Sequence, residues 1–342
     1  MKLKFVIFLL ILVNNFHKII LVSVPESEED KVFIEYLNKF KIRIGKTTNE
    51  VDRVKNNVIG KYRMIKRHNE RFKNGFEKFE MELNKFSYLS FEELTKNTLG
   101  FKGNETSPYA SLGIKVKPIS KTSRTRRETP LPDYWNWNDK GIVRPVQDQG
   151  SCSSCYAFAA IGAIEAAACK TLGQCQKLSE QEAMECTDLC SGGWDDAVYS
   201  YSISTGGCTS STYAYYGYKR QECSTSKLRK RITSTKVKGW YLLPNDEATI
   251  RNYLYNVGPA FVSFYLYENF YSLKSGIYSS FEGQYGGAHA VLLTGYGTEN
   301  GTDYWIMRNS WGTDFGERGY FRMLRGINLC NVEGWKVTIP II

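Results

Sequence analysis

The chain has three histidines, and only His289 shares a region with the nine cysteines, which all fall between Cys152 and Cys330. A thiol beside an imidazole can perform acyl transfer. The base takes the thiol proton, the thiolate attacks a carbonyl carbon, and the imidazolium then protonates the leaving group. His289 lies in Gly286-Gly-Ala-His-Ala-Val-Leu-Leu, where small residues precede a strand-like run and leave room for a substrate. Nine is an odd number, so full pairing in a secreted protein leaves one thiol over. The run 155–169 is rich in Ala and apolar nearly all round, the pattern of a buried helix. A cysteine at its start faces the positive end of the helix dipole, which stabilises the thiolate. Cys152 and Cys155 also read as CxxC. A zinc site would need a second such pair, and a redox pair a βαβ setting; neither is present.

These residues need a scaffold, and charge shows where it begins. Of the net +10 over 342 residues, residues 1–130 carry 26 Lys+Arg against 15 Asp+Glu, whereas residues 131–342 carry 19 against 20. The cysteine-bearing part is therefore near neutral, which argues against nucleic acid as its partner. Lys2 and Lys4 precede an apolar run, 5–13, too short to span a membrane, so residues 1–24 read as a signal peptide. Phe33, Ile34, Leu37, Phe40 and Ile44 share one helical face, and Val54, Val58, Tyr62 and Ile65 mark a second helix. Residues 79–86 alternate like a strand, and Ser90-Phe-Glu-Glu has the form of a capping box. Residues 103–129 form a polar linker that ends in Arg124-Thr-Arg-Arg127, a candidate proteolytic boundary. Runs such as 260–266 and 290–294 predict strands after the helix at 155, an α+β order. Asn104-Glu-Thr and Asn300-Gly-Thr are glycosylation sequons.

Taken with GSCSSCYAF, LSEQE at 178–182, CSGG at 190–193, GAHAVLLTGYG at 287–297 and YWIMRNSWGTDFGERGYF at 304–321, the chain resembles a papain-like, cathepsin L type cysteine protease precursor. The resemblance implies a helical lobe starting at Cys155, packed on a β-rich lobe with His289 and Asn309, and an inhibitory propeptide before them. The expected divisions are a signal peptide at 1–24, a propeptide at 25–127 and a catalytic domain at 128–342. It also implies Cys155 as nucleophile, His289 as base and acid, Asn309 to orient the imidazole, and Trp311 to shield that bond. Gln149 would stabilise the oxyanion together with the Cys155 N–H. Cys152 would pair with Cys190 and Cys186 with Cys223, which leaves Cys155 free and Cys169, Cys175, Cys208 and Cys330 with three possible pairings.

Substrate would meet Gly192, Gly193, Trp194, Asp195, Ser263, Ala290, Trp311 and a residue near Trp335. Asp195 stands where an apolar residue is usual, which predicts a taste for a basic P2 side chain, two residues before the cut bond. Tyr156 and Ser153 replace a usual Trp and Gly, and Ala288 replaces Asn or Asp. In the propeptide, Glu50, Ile65, Asn69, Asn84 and Phe86 match the family pattern, whereas Val54, Val58, Lys61, Glu82 and Tyr88 depart from it. Those departures weigh against ordinary acid-triggered self-processing, and the 124–127 run offers a convertase-type cut that leaves Glu128 first. With no cleft-blocking insertion bearing a His pair, an endopeptidase is expected over an exopeptidase or ligase. The resemblance implies no cofactor or metal. It implies protein and peptide substrates, the chain's own propeptide and cystatin-like inhibitors as partners, a monomer, and a secreted or lysosomal location.

Overall fold

The computed structural model describes residues 27–45, 47–102, 107–117, 130–187, 189–218, 223 and 231–342. The expected signal peptide, the Asn104 sequon and the 124–127 basic run lie outside the described residues. At the N-terminal end, α1 (Glu28–Phe40) and α2 (Thr48–Lys73) start at Ser27 and Thr47, whose hydroxyls accept backbone N–H groups two turns' donors would otherwise leave bare. Phe33 and Tyr36 of α1 close on Val54, Val58 and Ile59 of α2. Glu28, Glu29 and Asp30 pair with Lys66, Arg63 and Lys55 across the same seam. Those pairs are largely exposed and add little beside the apolar contact.

Strand β1 (Phe79–Met81) is shorter than the alternation of 79–86 predicts. The Asn84 side chain ends it: its oxygen accepts the Phe86 N–H at 3.0 Å and its amide donates to the Tyr271 carbonyl at 2.6 Å, which turns the chain. Helix α3 (Phe91–Thr98) opens with the full capping box, Ser90 to the Glu93 N–H and Glu93 back to the Ser90 N–H. A two-residue strand, β2 (Ile114–Lys115), follows.

Beyond residue 130 come β3 (Trp135–Asn136), α4 (Cys155–Leu172), α5 (Glu180–Cys186), α6 (Asp195–Thr205), β4 (Gly239–Leu242) and α7 (Glu247–Asn256). Then follow β5 (Ala260–Tyr267), β6 (Leu273–Tyr278), β7 (Tyr285–Glu299), β8 (Thr302–Arg308), β9 (Tyr320–Leu324) and β10 (Val337–Ile341). The expected α+β order holds: a helical lobe gathers around α4, and a sheet carries the rest. Neighbouring strands run β1-β6-β9-β8-β7-β5-β10-β4-β2, with β3 beside β7. Both ends of this sheet, β1 and β2, come from the N-terminal segment.

Disulfides join Cys152 to Cys190, Cys186 to Cys223, and Cys169 to Cys175. Cys155 and Cys330 are both free, so the parity argument for a single leftover thiol is corrected. Cys330 is buried in the core of the sheet.

Candidate active site

Cys155 is the first residue of α4, fully buried, and the Ser154 side chain does not cap the helix. The first amides of α4 are therefore left to the sulfur: the N–H groups of Cys155 and Tyr156 act on it, as does the backbone of Ala290 across the cleft. Ala290 follows His289 on β7, so β7 and the start of α4 bring thiol and imidazole into one site.

His289 Nε2 and Asn309 Oδ1 are 2.8 Å apart. Asn309 Oδ1 also accepts the Ser310 N–H at 2.8 Å, which identifies it as the acceptor and makes Nε2 the protonated nitrogen. Nδ1 is then bare, and no hydrogen-bond partner reaches it among the described residues. That is the tautomer a base needs. Trp311 lies 4.7 Å from the imidazole, ring to ring, and stacks on Tyr271 at 5.0 Å, closing the His289–Asn309 bond off from water. Phe86 of the N-terminal segment adds an edge-on contact to Trp311 at 5.3 Å.

Gln149 is buried, and Ser310 Oγ donates to its Oε1 at 2.6 Å. That bond fixes the amide so that Nε2 donates to the carbonyls of Cys152 at 2.8 Å and Thr98 at 3.0 Å. Thr98 is the last residue of α3. A carbonyl oxygen of the N-terminal segment therefore occupies the donor expected to serve an oxyanion.

The next residues cross the cleft. The Gly100 N–H donates to Cys155 Sγ at 3.2 Å, so an amide proton, not a carbonyl carbon, faces the thiol. The Gly193 N–H donates to the Gly100 carbonyl at 2.8 Å, the Lys102 N–H donates to the Gly193 carbonyl at 3.2 Å, and Phe101 pairs with Gly193 in parallel. This crossing requires glycine at 100, where a Cβ would lie 1.8 Å from the Ser153 carbonyl oxygen. The Trp194 indole N–H donates to the Lys102 carbonyl at 3.2 Å. Phe101 is buried against Phe261 at 5.4 Å and Trp335 at 5.5 Å, in one cluster with Ala288 and Ala290. Ser263 sits opposite Ala290 across β5 and β7.

Asp195 departs from expectation. Its carboxylate is fully buried, 2.7 Å from Lys336 Nζ, and accepts the Thr338 hydroxyl at 2.6 Å. Lys336 also holds Asp196 at 2.8 Å, and Ser107 of the N-terminal segment donates to Asp196 at 2.5 Å. Asp195, expected to meet a basic P2 side chain, is instead enclosed by Lys336 and Thr338, with the one lysine shared between two carboxylates.

The second correction is electrostatic. Burial pushes the Cys155 thiol up to about 11 and the His289 imidazole down to about 4. With the N-terminal segment seated, burial outweighs the helix dipole and both groups are neutral at neutral pH. Thr98, Gly100 and Phe101 were not singled out in the sequence. The available signal was Leu99-Gly-Phe, a glycine between apolar residues immediately after a capped helix.

Residues 131–339 match the family described as papain family cysteine protease. The chain is similar to a cathepsin L-like peptidase of Aedes aegypti, 34% identical over 317 residues, 87% of this chain and 90% of that protein. A cathepsin L-like proteinase of Fasciola hepatica is also 34% identical, over 81% of this chain and 83% of its own. Among solved structures, digestive procathepsin L2 proteinase from Tenebrio molitor larval midgut superposes with a TM-score of 0.80 at 27% identity, covering 92% of this chain and all of that one.

Proposed function

The chain belongs to the papain family of cysteine proteases, and on that premise we propose that it is a cysteine endopeptidase made as a zymogen, with Cys155, His289, Asn309 and Gln149 as its catalytic machinery. His289 Nδ1 takes the Cys155 proton once the N-terminal segment leaves, and the thiolate adds to the substrate carbonyl. The oxyanion lies between the Gln149 amide and the Cys155 N–H. Imidazolium returns its proton to the leaving amine, which departs and leaves an acyl-thioester on Cys155. Water, deprotonated by His289, then releases the acid and restores the thiol. Asn309 keeps Nε2 protonated throughout, so that Nδ1 is the nitrogen that exchanges the proton.

The observation that carries this reading is the segment 98–102 itself. It engages the Gln149 amide, the Cys155 sulfur and the Gly193 backbone at once, the three contacts a peptide substrate needs. It runs parallel to Gly193 and presents an N–H to the sulfur, so it blocks without offering a scissile carbonyl. In this reading residues 25–127 are the propeptide and 128–342 the enzyme, a monomer that matures along the secretory route for a secreted or lysosomal site, where cystatin-like inhibitors would compete for the same cleft.

The test compares the processed protein with Cys155→Ala on fluorogenic peptides under reducing conditions. Turnover should fall at least about a thousandfold in the variant, and a thiol-directed epoxide should label Cys155 alone. Undiminished turnover in the variant, or a folded, processed protein that neither cleaves nor takes the label, would overturn the proposal.

A further inference from the structure

The pocket that holds Phe101 contains a polar atom left without a partner. Ser263 Oγ is fully buried, and nothing donates to it or accepts from it among the described residues. Strand alternation puts its side chain on the same face of β5 as Phe261 and Tyr265. Phe261 touches Phe101, and Trp335 lies 5.5 Å from Phe101 and 4.5 Å from Tyr265. The Ser263 N–H donates to the carbonyl of Lys336, the residue after Trp335. The hydroxyl is therefore set in the pocket wall between the rings that grip Phe101.

Phe101 gives that hydroxyl nothing. Buried hydroxyls are normally satisfied, and one left bare disfavours whatever occupant leaves it so. The rest of the wall is Phe261, Trp335, Ala288 and Ala290, which accepts a flat apolar side chain and no charge. Asp195 and Asp196 are committed to Lys336 and add no second polar demand. An occupant that suits all of this has an aromatic ring and a single hydrogen-bonding group on it.

We propose that Ser263 selects tyrosine over phenylalanine in the pocket filled by Phe101, so that the preferred substrates are peptides with tyrosine at P2. The proposal rests on the endopeptidase reading for its substrate sense, but the pocket chemistry stands apart from turnover. The zymogen's own segment fills the site with the poorer of the two rings, which leaves a tyrosine-bearing substrate the better ligand.

Two measurements test it. For the processed enzyme, matched fluorogenic peptides with Tyr, Phe, Leu or Arg at P2 should give a kcat/KM for Tyr about fivefold above Phe. Ser263→Ala should bring that ratio down to about one. An equal or greater kcat/KM for the peptide with Phe at P2 in the unaltered enzyme, or a Tyr preference that survives Ser263→Ala, would overturn the proposal. The second measurement needs no catalysis. In the full-length Cys155→Ala zymogen, Phe101→Tyr should raise the melting temperature, and the same change in a Ser263→Ala background should not. A fall in both backgrounds would show that the pocket has no use for the hydroxyl. If no peptide is cleaved but the melting shift appears, the enzyme reading fails and the pocket assignment stands.

Discussion

Asn309 acts through one oxygen, which accepts from the imidazole and from the Ser310 amide together. Asn309→Ala would free the ring to take the other tautomer, so kcat should fall by roughly 10- to 100-fold with KM little changed; a change confined to KM would assign the residue to substrate binding. Residue type and setting single out Cys155 and His289 in the sequence, and the resemblance adds Asn309 and Gln149; the structure sets Asn309 against the His289 ring and Gln149 beside the Cys152 carbonyl. The surroundings of Asp195 were hidden for the opposite reason. The lysine and threonine that hold its carboxylate, Lys336 and Thr338, lie at the far end of the chain, and nothing local to Trp194-Asp-Asp announces them. Phe101 escaped notice because a lone aromatic after a helix has many uses, and only the folded cleft shows which one applies.

Helix α3 is the element that sets the block, since its last carbonyl is seated on Gln149 and the chain leaves it directly into the cleft. Its capping box is worth about 1 kcal/mol. Ser90→Ala should therefore lower the melting temperature of the zymogen, speed hydrogen exchange across 91–98, and raise basal peptidase activity; exchange unchanged in that stretch would place the control elsewhere. The helices and the capping box could be anticipated because their signals are local and periodic. The extent of β1 could not, because an alternating sequence continues through 86 while Asn84 spends its side chain on turning the backbone. Lys61, which departs from the family pattern, is a comparable case: its ammonium donates to the Leu89 carbonyl at 2.5 Å from a buried position, and desolvation brings it down to about 8.

Across the whole molecule, the neutral catalytic pair ties zymogen stability to pH. His289 is held down at about 4 from its ordinary 6.5, so an unfolded chain takes up that proton first as pH falls. Stability from this group is intact above about pH 6.5 and is lost progressively toward pH 4. Denaturant unfolding of the zymogen across pH 4–8 should show a steeper acid limb than that of His289→Gln, and identical limbs would mean that other groups dominate. Alkylation of Cys155 by iodoacetamide at pH 7 should likewise be slow in the zymogen and fast after processing, because the thiol is held up at about 11 only while it is covered; equal rates in the two forms would show that the segment does not suppress the thiolate. The α+β order was available from the pattern of helix and strands and the two lobes from the resemblance; that the N-terminal segment would extend the sheet at both ends was not, since β1 and β2 are three and two residues long and carry no pattern of their own. Their removal has a price in shelf life. Once they depart, β6 and β4 are left with rows of bare backbone donors and acceptors, surfaces on which extended chains of neighbouring molecules can zip. The form suited to storage at high concentration is therefore the uncut chain, and a cell or a test tube that processes it all at once converts a stable stock into a pool that must be used dilute.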